Sequence, residues 1–326
     1  MNRNAAVEMP VTWIYVIIVG GFALLFFANI AFQTGETGLL NNARAIAAYF
    51  DDAIETLSET TNRMGKTDEI LIERFSIITG EDGRSRIRYN NVDSMLKSNI
   101  YSKRDLYGSI SYWAYPYKTG YKSSNLVFIT DQRTRYIIAY NNTDDKGMAI
   151  ADELRSELPF DYPDFVPITI SSDRGVSLSA YANTEIKVIC LGQEEISQGD
   201  CNVEVLPDDI DTPMNGKITF IDGTDYEYHN YGTVFAAIFA HDGQSFMYGM
   251  KIAELRHEVT GKIISHKIDV LYDTYSISYC ATRYTSINTT IQSLIINPVL
   301  VHYNDILQMF TYNDDLRAHG DCESVF

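Results

Sequence analysis

The sequence predicts a mixed α+β head carried behind an N-terminal transmembrane helix and an amphipathic stalk helix, and three observations carry that prediction. Residues Pro10 to Phe32, PVTWIYVIIVGGFALLFFANIAF, run for 23 residues without a charge. Apolar residues then recur at steps of three and four from Leu39 to Leu57. Beyond them, short β-branched and aromatic runs alternate with at least one helical pattern, and the chain closes on helical periodicity. The division that follows is a leader at 1–9, the transmembrane helix at 10–32, a hinge and stalk at 33–66, an α/β head at 67–240, and a helical C-terminal part of the head at 241–326.

At ~1.5 Å per residue the apolar run makes a helix of roughly 34 Å, enough to cross a hydrocarbon core of about 30 Å. Pro10, Trp13, Ile14, Tyr15, Phe22, Leu25, Phe26, Phe27 and Phe32 give it the bulk of a membrane anchor, with the lipid bilayer as its partner. A cleaved signal peptide is the competing reading, but that needs an apolar core of about 7 to 15 residues and a small-x-small cleavage site. Arg3 precedes the run and Arg44 follows it, a slight lean toward a single-pass protein with its N-terminus in the cytoplasm and its C-terminal domain outside the cell. Glu8, at the mouth of the helix, has two readings: a headgroup neighbour at the positive helix end, or an assembly contact.

Gly35 and Gly38 loosen the rod just past the membrane. Leu39, Ala43, Ile46, Phe50, Ile54 and Leu57 then share one face of an amphipathic helix ending near Gly65. That face needs a partner, either its own head or the same helix of neighbouring subunits. On the second alternative Ile46, Phe50 and Ile54 are assembly residues. Residues 68–80 fit helix or strand.

NLVFITD at 125–131 and RYIIAY at 135–140 read as adjacent strands across a short polar turn, and Thr143 or Asp144 caps a helix from about Asp145 to Leu158. Further strands are expected at 165–171, 176–181, 185–190, 203–206 and 217–221. After Gly232 the pattern turns helical. One helix is expected from Gln244 to about Tyr272, interrupted or tolerant at Gly249 and Gly261, and two more at 289–296 and 299–311, broken by Asn297-Pro298.

A hydrophobic content of 45% and 21% charged residues exclude disorder as the state of the head, and the formal charge of −17 with no basic cluster argues against nucleic acid as a partner. The four cysteines, Cys190, Cys201, Cys280 and Cys322, include no CxxC pair, so zinc spacing is absent. Two local disulfides, Cys190 to Cys201 and Cys280 to Cys322, fit an oxidising exterior, and four reduced cysteines fit a cytoplasmic domain. Asn141 and Asn288 head the two glycosylation sequons, Asn-Asn-Thr and Asn-Thr-Thr.

No catalytic constellation emerges. His257-Glu258 begins like a zincin helix, but Gly261 stands where the second histidine is required. Asp208, Asp209 and Asp211, and Asp222 with Asp225, lack the alternation of a calcium loop and read as loop and cap residues. Neither a metal nor a cofactor is expected.

The start of the chain, Asn4-Ala-Ala-Val-Glu-Met-Pro-Val-Thr-Trp-Ile-Tyr15 followed by aliphatics, resembles archaeal type IV pilin-like proteins with class III signal peptides. In that family a peptidase cuts ahead of the apolar helix and leaves a glutamate as the fifth mature residue, the place Glu8 takes if Asn4 is the first. Asn2-Arg3 departs from the basic-then-small pattern the family carries before its cut. The resemblance implies a non-enzymatic cell-surface protein of structural, adhesion or assembly function, partnered by copies of itself or related pilin-like subunits. The alternative is a monomeric membrane-tethered sensor or ligand-binding domain.

Overall fold

The computed structural model describes residues 38, 40–55, 65–69, 74–97, 99–158, 168–172, 185–192, 201–210, 214–275, 278–296 and 303–326. Glu8 and the expected anchor lie outside them, as does the strand expected at 176–181. Among the described residues no helix is long and apolar enough to cross a membrane. They form six helices and three sheets, a mixed α+β architecture.

Helix α1 spans residues 40–55. The strands that follow build two four-stranded sheets. The first orders β1 (Gly65–Glu69), β7 (Ser109–Thr119), β8 (Tyr121–Asp131) and β5 (Ile100–Ser102); the second orders β4 (Val92–Met95), β3 (Ser85–Tyr89), β2 (Phe75–Thr79) and β6 (Asp105–Leu106). Ile46, Phe50 and Ile54 are buried against both sheets, with Phe50 lying 5.7 Å from the Phe75 ring and 6.3 Å from Tyr112. Of the two partners the sequence leaves open for this face, the head itself is the one it meets. A side chain buried this fully stabilises its fold by about 1.5–3 kcal/mol, so α1 is part of the core and these three residues are not a surface offered to other subunits. Gly65, where the helix was expected to end, opens β1.

Residues 81–124, where the sequence suggests no element, carry β3 to β7 and the start of β8. Pro116 hides β7, because a proline argues against a central strand. It lies beyond the five residues that β1 pairs, where that edge of β7 has no partner strand among the described residues.

The third sheet has the order β10 (Ile168–Ser171), β9 (Thr134–Tyr140), β11 (Glu185–Leu191), β12 (Val203–Pro207), β13 (Gly216–Phe220) and β14 (Asp225–Tyr228). Its first four strands are parallel and its last two pairings antiparallel. Consecutive β8 and β9 therefore do not pair as a hairpin. Asp131 accepts from the backbone N–H groups of Arg133 and Thr134 and from the Thr134 hydroxyl, and so turns the chain from one sheet into the next. Helix α2 (Asp145–Glu157) makes the crossover, capped by Asp144 as expected.

Helix α3 (Tyr231–Phe239) is apolar all round and buried from Gly232 onward, as a helix threaded through a core must be. Helix α4 (Gly243–Thr274) runs unbroken for 32 residues behind an Asp242–Ser245 capping box. Its glycines do not interrupt it; they admit neighbours. A Cβ on Gly249 would lie 2.8 Å from the Tyr101 ring, and one on Gly261 would lie 2.2 Å from the Tyr121 hydroxyl.

Helix α5 (Ser278–Ile296) starts eleven residues before the expected 289. Its Ser/Thr-rich first half has low propensity, but Thr285, Ser286 and Thr289 donate to the carbonyls four residues back while Cys280, Tyr284 and Ile287 are buried. Helix α6 (Tyr303–His319) outlasts the expected end at 311.

Both cysteine pairs are bonded as expected, Cys190 to Cys201 and Cys280 to Cys322, each with Cα atoms 5.9 Å apart. The tail does not depend on its disulfide alone. Val325 is buried, and the N–H groups of Val325 and Phe326 donate to Asn313 Oδ1 at 2.7 and 3.1 Å.

Candidate functional site

The β7–β8 hairpin ends in a turn at Gly120, whose φ of +79° suits glycine and whose missing side chain lets Leu294 of α5 approach. The tip thus reaches across α4. On the two strands beside it stand Tyr117 and Tyr121, both buried. His257 is on the inward face of α4, in register with Phe246, Met250, Ala253 and Gly261. Its ring stacks on Tyr121, with centroids 4.2 Å apart and planes 2° from parallel, while the Tyr121 hydroxyl donates to the His257 carbonyl at 2.9 Å.

His229 follows β14 and meets the Tyr117 hydroxyl through Nε2 at 3.3 Å. The Tyr117 ring lies edge-on to both imidazoles, 6.0 Å from His257 and 6.4 Å from His229. Tyr117, His229 and His257 line a cavity of about 570 Å³ together with charged Asp225, Glu227, Lys251, Glu254 and Glu258, with Tyr226, and with apolar Leu255, Leu294, Ile295 and Ile296. Tyr226 donates to Glu254.

The electrostatics of the floor follow from its dryness. His257 is only 4% exposed, and neither of its ring nitrogens has a hydrogen-bond partner among the described residues; the same holds for Nδ1 of half-buried His229. Burial pushes both imidazoles down to about 4, and the neighbouring His229 adds to the shift at His257. Both are therefore neutral near pH 7, each with one N–H donor and one lone-pair acceptor. Burial also pushes the Tyr117, Tyr121 and Tyr226 hydroxyls upward, so they stay protonated. The cavity lining includes no serine, threonine or cysteine.

A half-buried lysine has a different role. Lys187 donates to the carbonyls of Ala237 and Ala240 at 3.0 and 2.5 Å, which satisfies the C-terminal end of α3. Burial pushes it down to about 7. It closes a helix end, beside a smaller cavity of about 270 Å³.

The site draws little from the residues the sequence singles out. Glu8 and the anchor are outside the described residues, and Ile46, Phe50 and Ile54 lie in the core of the head. Asn141 turns the loop before α2 by accepting from Thr143. Asn288 bridges α5 to α4, accepting from Ser265 at 2.8 Å and donating to Asp269 at 3.3 Å, bonds that a glycan on its nitrogen would disturb. Asp222 accepts from the N–H groups of Thr224 and Gly243, as a loop and cap residue should. Among the described residues no cluster of three or more His, Cys, Asp or Glu side chains is set to hold a metal.

Sequence reasoning meets His257 only as the start of a motif that fails, and misses Tyr117, Tyr121, Tyr226, His229 and Glu254. One signal was legible: the spacing of His257 from Phe246, Met250 and Ala253 puts an imidazole on the apolar stripe of its helix. The chain matches no known family model, no curated protein and no solved structure.

Proposed function

We propose that the chain is a membrane-tethered, exported protein whose head binds a ligand in the histidine–tyrosine cavity without catalytic turnover. The observation that carries this reading over a filament role is the burial of Ile46, Phe50 and Ile54 in the head's own core, which takes these three residues away from any neighbour. Two disulfides favour an oxidising compartment, and the uncharged Pro10–Phe32 run supplies the tether. The unpartnered imidazole in a cavity whose lining includes no serine, threonine or cysteine favours binding over chemistry.

Glu8 and the length of the apolar run favour a second reading, pilin-like self-assembly, in which association is confined to residues ahead of α1. A carboxylate among apolar surroundings is costly unless a cation meets it, such as the N-terminal amine of another subunit. Glu8→Gln then impairs assembly while the head stays folded, and unchanged oligomers in that variant remove the second reading.

The first reading is tested by adding protease to intact cells and titrating thiols in the denatured, unreduced protein. It expects a head digested from outside and no free thiol. A protected head with four free thiols would overturn it.

A further inference from the structure

We propose that the cavity between the β7–β8 hairpin tip and α4 takes a small organic cation: an ammonium group on an apolar or aromatic body. This rests on the binding reading above and adds the chemical class of the ligand. The wall carries four carboxylates, Asp225, Glu227, Glu254 and Glu258, against one cation, Lys251. Two of the four are neutralised by neighbours, Asp225 by Lys217 at 2.7 Å and Glu258 by Lys262. Glu254 accepts from the Tyr226 hydroxyl. Even so, the balance around the mouth is negative, in a chain of formal charge −17 that draws cations toward its surface.

The floor is an independent observation that points the same way. His257 is buried with both ring nitrogens unpartnered, and a neutral imidazole offers a lone pair that an ammonium N–H satisfies directly. Tyr117 and Tyr226 also line the cavity, aromatic rings of the kind that attract a cation, and Leu255, Leu294, Ile295 and Ile296 supply apolar surface for the body that carries it. A carboxylate or phosphate ligand would meet like charge on this wall and no guanidinium to offset it. The remaining competitor is a neutral hydroxyl compound, which the same imidazoles can also bond.

The test uses the full chain in detergent micelles and three probes of one shape: benzylamine, benzyl alcohol and benzoate. Binding is read by calorimetry and by the imidazole NMR signals of His229 and His257. The expected result is saturable binding of benzylamine at least tenfold tighter than benzyl alcohol, with benzoate weakest. The paired change Glu227→Gln and Glu254→Gln, on exposed positions that do not threaten the fold, should erase that tenfold preference and leave benzyl alcohol unchanged. Equal affinity for benzylamine and benzyl alcohol, or tighter benzoate, would overturn the cation and leave the binding reading standing. No response of either histidine to any of the three would overturn both.

Discussion

The β7–β8 hairpin has two aromatic ends of opposite character. At its base Trp113 and Phe128 pack with Phe239 of α3, at centroid distances of 4.5 Å for Trp113–Phe239 and 5.5 Å for Phe128–Phe239, and Tyr136 joins them at 4.7 Å. At its tip Tyr117 and Tyr121 meet the imidazoles of His229 and His257. The same two strands carry both ends, with a register shift at Tyr117 and Lys118 near the tip, and different helices meet them. Helix α3 meets the base with the rings of Phe235 and Phe239, whereas α4 offers the tip a histidine. At the base the Tyr136 hydroxyl accepts from Thr130 at 3.1 Å, while the tip retains ring nitrogens that no described group pairs.

Breaking the base should cost most. Phe239→Ala removes a fully buried ring from the central cluster and is expected to lower unfolding free energy by about 3–5 kcal/mol, seen as a lower denaturant midpoint with an unchanged slope. A loss below about 1 kcal/mol would show that the base is not the organising core.

Acid should act on the tip. The native imidazole of His257 is held at about 4 while that of the unfolded chain lies near ~6.5, so between those values the unfolded state binds more protons. The stability contributed by neutral His257 is complete above pH ~6.5 and is lost as pH falls toward about 4, by an amount on the order of 3 kcal/mol; His229 acts in the same direction. Carboxylates with pKa values lowered in the fold, such as Asp105 and Asp93, lose stability on acidification too, which is why the comparison is with His257→Phe. That variant keeps a ring against Tyr121 and should show a shallower fall between pH 7 and 4. Parallel profiles would mean that His257 titrates normally in the fold.

The smallest effect sharpens the comparison at one bond. Tyr121→Phe retains the stack but deletes the hydrogen bond to the His257 carbonyl, for a loss of about 1 kcal/mol by thermal or chemical unfolding. An unchanged stability would assign the ring alone the positioning of the hairpin tip.

The third sheet and its crossover helix were far more legible in the sequence than the tip, for physical reasons. The helical pattern after Gly232 is a local property, and Cys190 and Cys201 read as a pair because they are close in the chain. The capping of α2 by Asp144 is local as well. By contrast β7 mixes tyrosine, serine, lysine and a proline, so its strand character depends on pairing with β8 and β1 and no window of sequence displays it. The cavity draws Tyr117, His229, His257 and Leu294 from four distant positions, and only the long-range fold brings them together. Gly249 and Gly261, at which the helix was expected to be interrupted or tolerant, left that choice open for a related reason. Their lack of a side chain serves Tyr101 and Tyr121, which arrive from another element, and not the flexibility of their own helix.

The claim at the centre of this account is that the tip is a binding site with a neutral, unpaired imidazole, and histidine NMR of the full chain tests it most directly. Of the six histidines, His257 and His229 should remain neutral at pH 6, protonate only near pH 4, and shift together as benzylamine saturates the cavity. Titration of both near pH 6.5, with no response to benzylamine, benzyl alcohol or benzoate, would contradict it.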